Sequence, residues 1–193
     1  MKALTISLAL ATMLAGSAAF AALPAGSAAP EFSLQASLAG KAFPYSLRDA
    51  LKKGPVVVYF YPSAYTGGCN VQAHTFADNI DKFTAAGASV VGVSLDSIDR
   101  LNAFSADPQY CAGKLPVASD KDGATARAYQ LSIHDEIPGR KDTRGVEIGH
   151  GFAERTTFIV TPDGKIADVI GGLKPEDNVD KALEAVQTLK KRG

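Results

Sequence analysis

Short apolar runs alternate along most of this chain with stretches that have helical spacing. The two most apolar runs, 56–61 and 90–95, are rich in β-branched and aromatic residues and predict buried strands. After the first run, apolar residues recur with a helical period from Phe76 to Phe83, which predicts a helix. The predicted strands are 32–35, 41–45, 56–61, 90–95, 115–118, 155–160 and 165–170, and the predicted helices are 47–53, the stretch from Cys69 to Gly87, 97–106, 124–129 and 179–190.

This order of elements predicts one α/β domain. Strands alternate with helices before a hairpin and a last helix close the chain, so we expect a sheet covered by helices on both faces. Asp96 stands just before the helix at 97–106, and we predict that it is the N-cap of that helix. The stretch 132–153 has no clear periodicity. Because long loops often have functional roles and this one leads into Arg155, we expect it to border the functional site.

The first residues have the organisation of a secretory signal peptide. Lys2 is followed by a short apolar stretch and by a small-x-small cleavage site that ends at Ala21. We therefore predict a signal peptide at 1–21, cut after Ala21, and a periplasmic or secreted mature chain; a buried helix or an anchor is the alternative. Residues 22–29 are rich in alanine, glycine, serine and proline, which predicts a flexible N-terminus ahead of a domain at 30–193.

Charge and composition argue against several functional classes. The 193 residues carry 20 Lys and Arg against 20 Asp and Glu, a balance that predicts no binding to nucleic acid or to an anionic membrane surface. No apolar stretch is long enough to be a membrane helix of the mature chain. His74, His134 and His150 lack the spacing of metal ligands, so we expect ordinary surface or loop residues, no metal site and no cofactor. Two cysteines are too few for a disulfide-rich scaffold.

Cys69 occupies a position with chemical consequences. The chain runs from the strand at 56–61 through Pro62, which cannot continue a central strand, and through a loop of small residues to Cys69 at a helix start. A helix start presents unpaired N–H groups and the positive end of the helix dipole. Thiols in such places have pKa values below the free value of about 8.5, and the thiolate is the reactive nucleophile. The local pattern leaves open a buried filler or half of a structural disulfide.

Four residues around Cys69 and far downstream of it resemble a known family. Pro62, Thr66 and Cys69 form the pattern Pro-x-x-x-Thr-x-x-Cys. Arg155 opens a β-rich run that is followed by a Thr-Pro-Asp-Gly-Lys turn. These features resemble the active-site signature and the arginine-bearing strand of the peroxiredoxins in the AhpC/TSA family, over a domain-sized span. The resemblance implies a thioredoxin-like fold with an N-terminal β-hairpin extension, and a thiol-dependent peroxidase without a cofactor.

The resemblance also implies roles for individual residues. Cys69 would be the nucleophile that attacks a peroxide, and Thr66 would point its hydroxyl at the thiolate or at a peroxide oxygen. The N–H groups of Gly68 and Cys69 would add donors for the substrate, and Pro62 would pack over the site. Arg155 would supply a permanent positive charge and a planar set of donors. The residues alone leave two alternatives open, a helix cap for Thr66 and a surface ion pair for Arg155.

Within the peroxiredoxins the chain resembles the bacterioferritin-comigratory (PrxQ-like) branch, since Gln72 stands where that branch often has glutamate or glutamine. Many members carry a resolving cysteine five residues after the reactive one, but that place is His74 here. Other members carry it later, where this chain has Cys111 in a segment that we expect to be exposed and mobile. The resemblance implies a disulfide between Cys69 and Cys111 within the chain; a bond between subunits and a mechanism with one cysteine remain open.

The resemblance implies partners as well. The substrate would be hydrogen peroxide or an organic hydroperoxide, the reductant a thioredoxin-like or other thiol, and the protein a monomer or a homodimer. Two other functional classes compete with this one. A thioredoxin-like disulfide exchanger uses Cys-x-x-Cys, and Thr66 occupies the place of its first cysteine. A non-catalytic domain with a structural Cys69–Cys111 disulfide would not consume peroxide.

Overall fold

The computed structural model describes residues 22–192, so the predicted signal peptide at 1–21 lies outside the described residues. The strands are β1 (Ser33–Leu38), β2 (Lys41–Ser46), β3 (Val56–Phe60), β4 (Ser89–Ser94), β5 (Val117–Ser119), β6 (Ile133–His134), β7 (Phe152–Ala153), β8 (Thr156–Val160) and β9 (Ile166–Gly171). The α-helices are α1 (Leu47–Leu51), α2 (Gly67–Ala85), α3 (Ile98–Ala106), α4 (Ala124–Ala128) and α5 (Pro175–Arg192). Among the helices of the described residues, none combines the length and the apolar character needed to cross a membrane.

Seven strands form one sheet in the order β2-β1-β5-β4-β3-β8-β9. The central strands β5, β4 and β3 are parallel, because α3 and α2 provide the long crossovers that parallel strands require. β8 pairs antiparallel with β3, so that Thr156 lies opposite Phe60, and β9 follows at the edge. The β1–β2 hairpin joins the other side of the sheet through β1. The predicted α/β sheet with an N-terminal β-hairpin is therefore confirmed.

Helices cover both faces of this sheet. Along β3, Val57 and Tyr59 face a core that includes residues of α2, α3 and α5. Val58 and Phe60 face a second core with residues of α1 and α4. A strand that is buried on both faces has a continuous apolar sequence, which is why the pattern at β3 is so clear. The double burial also anchors the end of β3, where the loop to Cys69 begins.

Two helix starts differ from the prediction. α5 begins at Pro175, about one turn earlier than predicted, because proline is well tolerated at the first helical position. The N-cap of α3 is Ser97, whose hydroxyl accepts the Arg100 N–H. The predicted capping role of Asp96 is therefore wrong. Its carboxylate is fully buried and is bound by other donors.

The N-terminal segment also differs from the expectation of flexibility. Residues 22–29 run beside the β8–β9 hairpin and form backbone hydrogen bonds with it. The Gly26 N–H donates to the Ile166 carbonyl at 2.7 Å, and the Ala29 N–H donates to the Gly164 carbonyl at 2.8 Å. Small residues let this segment lie close to the hairpin, so its composition reflects a close approach of two backbones.

Candidate active site

β3, a short turn and α2 together place Cys69 at a helix start. β3 ends at Phe60, and Pro62 follows in a partly buried position. α2 begins at Gly67, with Thr66 as its N-cap. Cys69 lies in the first turn of α2 and is almost fully buried, with 2% of its surface exposed. The strand–turn–helix arrangement predicted around this thiol is present in the structure.

The start of α2 keeps its first backbone N–H groups free of a side-chain cap. The Asn70 N–H donates to the Thr66 carbonyl at 2.8 Å. The N–H groups of the residues just before Asn70 belong to the first turn of the helix, where no helical carbonyl is placed to accept from them. Within residues 22–192, Thr66 makes no side-chain capping bond. Its hydroxyl donates to the Ser63 carbonyl at 2.8 Å and closes the turn before the helix. Thr66 therefore occupies the N-cap position, as one of the two expectations had it, but its hydroxyl is bound to the Ser63 carbonyl, and within the described residues it bonds neither to Cys69 Sγ nor to an N–H of α2.

Arg155 reaches Cys69 because β8 pairs with β3. It directly precedes β8, whose first residue Thr156 lies opposite Phe60 at the end of β3. Its Nη2 donates to Cys69 Sγ at 3.3 Å. Its Nη1 donates to the side-chain carbonyl of Gln72, one turn further along α2. Because a guanidinium is always charged, a permanent positive charge lies beside the sulfur.

Gly68 leaves the room that this guanidinium occupies. A Cβ atom added at Gly68 would lie 3.3 Å from Arg155 Nη2 and 3.3 Å from Pro175 Cγ, at the start of α5. A Cβ added at Gly67 would meet nothing within 4 Å in the described residues. The glycine predicted to bind substrate therefore lies directly beside the arginine, where a side chain would crowd both the guanidinium and α5.

The segment 132–153 borders this site. It is closed at its base by the pairing of β6 with β7. The N–H and the hydroxyl of Thr143 both donate to the Tyr65 carbonyl at 2.9 Å. The Arg144 guanidinium lies over the Tyr65 ring, 3.2 Å from its centroid. Tyr65 has a φ of 60°, which is unfavourable for a bulky residue, and these contacts hold it there just before the N-cap of α2.

A buried carboxylate, Asp96, holds the same turn from the side of α3. It accepts the Ala64 N–H at 2.7 Å and the Ser63 hydroxyl at 2.9 Å. It also pairs with Arg100 Nε at 2.9 Å and with His150 Nε2 at 2.8 Å. Burial alone would raise the pKa of Asp96, but the hydrogen bond and the charge of His150, together with the other donors, lower it. The ionised carboxylate therefore links the turn to α3 and to the segment that ends at β7.

His150 lies in the loop before β7, as expected, but it is not an ordinary surface residue. Its side chain is only 14% exposed, with Nε2 2.8 Å from Asp96 Oδ1 and Nδ1 2.7 Å from the Gly151 carbonyl. Because both partners can only accept, both ring nitrogens donate and the ring is an imidazolium. Burial alone would lower the pKa of His150, but the hydrogen bond and the charge of Asp96 outweigh it and raise the pKa. His74 and His134 are exposed, as predicted.

The expectation that Cys111 is exposed is also wrong. It lies in the turn after α3 and is fully buried. The Ala112 N–H donates to the Asp107 carbonyl, and the Gly113 N–H donates to the Ser105 carbonyl, both at 2.9 Å. Proline and glycine therefore shape a tight, hydrogen-bonded turn here. Burial raises the pKa of the Cys111 thiol. Both cysteines of the described chain are free thiols, which argues against a structural disulfide.

Similarity to known proteins covers most of the chain. A model of the AhpC/TSA family matches residues 25–169. The chain belongs to the AhpC/TSA family. The chloroplastic peroxiredoxin Q of Sedum lineare is 33% identical over 176 residues, which covers 89% of this chain and 82% of the relative. The recognition of a peroxiredoxin from the residues around Cys69 and Arg155 is thereby confirmed.

Solved structures of related proteins share the fold of this peroxiredoxin. Peroxidoxin BcpB from Mycobacterium tuberculosis matches with a TM-score of 0.70 and 28% identity, over 86% of this chain and 98% of that one. The bacterioferritin comigratory protein of Xanthomonas campestris matches with a TM-score of 0.64 and 30% identity, over 81% of this chain and 92% of that one. The thioredoxin-like fold and the likeness to the bacterioferritin-comigratory branch are therefore confirmed.

Sequence reasoning misses a set of buried polar residues beside this peroxiredoxin site. Gln72 attracts notice only through the family resemblance, whereas Thr157 and Asn178 give no clear signal. All three are fully buried. Thr157 lies two residues before Ile159 on β8, on the same face toward α2 and α5. The one sequence signal for its role is therefore a polar residue at a strand position where an apolar residue is expected. Asn178 lies ahead of the predicted helix start, where the periodic pattern carries no information.

Proposed function

We propose that Cys69 is the nucleophile of this thiol-dependent peroxidase. The observation that carries the proposal is the contact of Arg155 Nη2 with Cys69 Sγ at 3.3 Å, in the first turn of α2. A neighbouring cation and a helix N-terminus both favour the anionic form of a thiol. The peroxiredoxin relatives support the reaction class.

The proposed reaction transfers one peroxide oxygen to sulfur. The Cys69 thiolate attacks one oxygen, an S–O bond forms and the O–O bond breaks. The other oxygen leaves with the electron pair as hydroxide or alkoxide and takes up a proton. Cys69 is oxidised to the sulfenic acid, and the peroxide is reduced to water or an alcohol. In this proposal Arg155 and the N–H groups of Gly68 and Cys69 stabilise the charge on the leaving oxygen.

The turn before α2 supports these donors. Pro62 has no N–H of its own that could compete for the substrate. The Thr66 hydroxyl closes the turn through the Ser63 carbonyl, and it would have to rotate in order to donate to a bound peroxide. In this proposal Pro62 and Thr66 therefore act first by shaping the turn that presents the N–H groups.

The substrate class that we propose is hydrogen peroxide together with organic hydroperoxides. Gly67 is exposed, and a Cβ added there would meet nothing within 4 Å in the described residues, so groups of different size have room beside the helix start. The related bacterioferritin comigratory protein of Xanthomonas campestris has been studied for its alkyl peroxide reduction activity. Both observations support a site that accepts substituted peroxides.

We further propose that Cys111 resolves the sulfenic acid within the chain. The Cys111 sulfur attacks the Cys69 sulfur, an S–S bond forms, the S–O bond breaks and water leaves. Because Cys111 is fully buried, its turn must open before the thiols can react. Tyr110 packs against Tyr65 with ring centroids 5.6 Å apart. This contact joins the turn before α2 to the turn of Cys111 and supports a joint opening of both.

The oxidised form needs an external thiol to regain two electrons. We propose a thioredoxin-like reductant, a monomer or homodimer as the active form, and a periplasmic or secreted location. The location is supported by the signal-peptide pattern at 1–21. It fits the chemistry, since an oxidising compartment lets a disulfide form persist between rounds of reduction.

Replacement of Cys69 tests the nucleophile. Cys69→Ser changes one atom in the side chain, so we expect a folded protein that no longer consumes hydrogen peroxide or an organic hydroperoxide in a stopped-flow assay. The matched variant is Cys111→Ser, which keeps the first step in this proposal. If Cys69→Ser retained most of the peroxide consumption, the assignment of the nucleophile would be wrong.

Mass spectrometry after an equimolar dose of peroxide tests the resolving step. We expect a Cys69–Cys111 peptide pair from monomeric protein, and a sulfenic acid on Cys69 that persists in Cys111→Ser. A disulfide found only in covalent dimers would indicate resolution between subunits. A persistent sulfenic acid in the unmodified protein, with Cys111 free, would indicate a mechanism with one cysteine.

A further inference from the structure

A chain of buried polar side chains runs from α5 to the guanidinium of Arg155. Its members are Thr157 on β8, Asn178 on α5 and Gln72 on α2, and each is fully buried. The surrounding side chains of the same core are largely apolar, among them Ile159, Val179 and Ala182. Buried polar groups are costly unless they are hydrogen-bonded, and such groups gathered at one place are unusual in a core of this kind.

Hydrogen bonds fix the orientation of Asn178 first. Its Nδ2 donates to the Ile170 carbonyl at 3.0 Å. A carbonyl can only accept, so the amide nitrogen must face Ile170 and the amide oxygen must face the other way. That oxygen accepts the Thr157 hydroxyl at 2.6 Å and Gln72 Nε2 at 3.0 Å.

The orientation of Asn178 then determines that of Gln72. Because the Gln72 amide nitrogen is engaged by Asn178, the Gln72 carbonyl oxygen faces Arg155 Nη1 and accepts from it. If the Gln72 amide were reversed, its N–H groups would face the guanidinium N–H groups, and neither side could accept. Two hydrogen bonds would be lost together.

The held guanidinium is the one that contacts the sulfur. Arg155 is only partly buried, so without an anchor its long side chain could rotate toward solvent. The bond from Nη1 to Gln72 leaves Nη2 on Cys69 Sγ at 3.3 Å. The Ile170 carbonyl therefore determines the orientation of the Asn178 amide, and the Asn178 amide determines that of Gln72. The Gln72 amide in turn holds the guanidinium whose Nη2 contacts the thiol.

We propose that Asn178 is a positioning residue for the peroxidase reaction, and that it acts by orienting the Gln72 amide toward Arg155. The inference rests on the proposed role of Cys69 and extends it, since it makes the reactivity of the thiol depend on a residue of α5. Thr157 supports Asn178 by donating to the same oxygen.

Asn178→Leu removes the amide at nearly constant size. We expect the second-order rate constant with hydrogen peroxide to fall by about three- to tenfold, the scale of one neutral hydrogen bond. The rate constant is measured across a range of pH together with the denaturation midpoint, so that a loss of rate is distinguished from a loss of stability. The matched control is Asn79→Leu, an asparagine on α2 whose amide donates to the Thr75 carbonyl.

Two double variants separate positioning from a merely structural role. In an Arg155→Ala background, Asn178→Leu should leave the rate constant unchanged, because the group that it orients is gone. In a Gln72→Glu background the effect of Asn178→Leu should also be largely lost. A carboxylate presents acceptor oxygens on both sides and needs no orienting partner. The same loss of rate in every background would overturn the proposal.

The failure of this inference can be told apart from the failure of the proposed function. If Cys69→Ser consumes peroxide, the nucleophile is wrong. If Cys69→Ser is inactive but Asn178→Leu changes only the denaturation midpoint, Asn178 is structural and the positioning role is refuted. Should Asn178→Leu not fold, Asn178→Ser takes its place, because serine is too short to reach Gln72. An unchanged rate constant in that variant equally refutes the proposal.

Discussion

The contact between Arg155 and Cys69 makes a quantitative prediction. Arg155→Ala removes the permanent charge whose Nη2 lies 3.3 Å from Sγ, and it also removes the donor to Gln72. This charge attracts the anionic sulfur, so its removal should make Cys69 less reactive toward peroxide at neutral pH. The leaving oxygen loses a donor at the same time, so the peroxide step should slow even where the thiolate is fully formed.

The separation of the two atoms sets the size of the effect. At 3.3 Å the Coulomb energy is about 1 kcal/mol at the permittivity of water and about 5 kcal/mol at an effective permittivity of about 20. Arg155 is partly exposed, so solvent screening favours the lower part of this range. We therefore expect the lost attraction between the guanidinium and an anionic sulfur to be about 1–3 kcal/mol. Loss of an oxyanion donor makes the expected fall in rate constant about 10².

Stopped-flow kinetics of peroxide consumption measure the fall in the rate constant. Arg48→Ala is the matched control, because Arg48 forms an exposed ion pair with Glu31 on the other face of the sheet. Arg155→Lys keeps the charge without the planar fork, so it should fall between Arg155→Ala and the unmodified protein. An unchanged rate constant for Arg155→Ala would refute the reasoning.

Two further predictions concern the glycines of α2 and the buried ion pair. Gly68→Ala places a Cβ 3.3 Å from Arg155 Nη2 and should slow the peroxide step about three- to tenfold. The loss should be smaller than the value of about 10² expected when a catalytic group is displaced by 1 Å, because the guanidinium has to move by less than that. His150→Gln should lower the free energy of unfolding at pH 6 by about 1.5–3 kcal/mol, as for a lost charged hydrogen bond. The contribution of the His150–Asp96 pair is fully present between pH 3.8 and 6.5; it is lost as pH rises through the raised pKa of His150 or falls through the lowered pKa of Asp96.

Each of these variants has a control in the same chain. Gly67→Ala meets nothing within 4 Å in the described structure, so equal losses in both glycine variants would point to helix backbone effects instead of contact with Arg155. His74→Gln removes an exposed histidine beside Asp78 and should leave the free energy of unfolding nearly unchanged. If the stability difference between the unmodified protein and His150→Gln stayed constant from pH 6 to pH 9, the imidazolium assignment would be contradicted.

The sequence by itself determined the features that depend on neighbours along the chain. The apolar run of β3, the proline after it and the helical period of α2 locate Cys69 at a helix start, because each signal spans only a few residues. The alternation of strands and helices likewise determined the fold class. The pattern of Pro62, Thr66 and Cys69 with Arg155 was enough to recognise the family, since it depends on residue identity and on spacing along the chain.

Only the tertiary structure decided which remote residues meet and which polar groups are buried. Arg155 and Cys69 are 86 positions apart, and the pairing of β8 with β3 brings them together. The burial of Cys111 and the charge of His150 follow from packing around a turn and a carboxylate, which leaves no periodic trace in the sequence. A polar side chain at one position looks the same in the sequence whether it faces water or, like Asn178, an amide of another helix. Its environment is set by the whole fold, and so is its role.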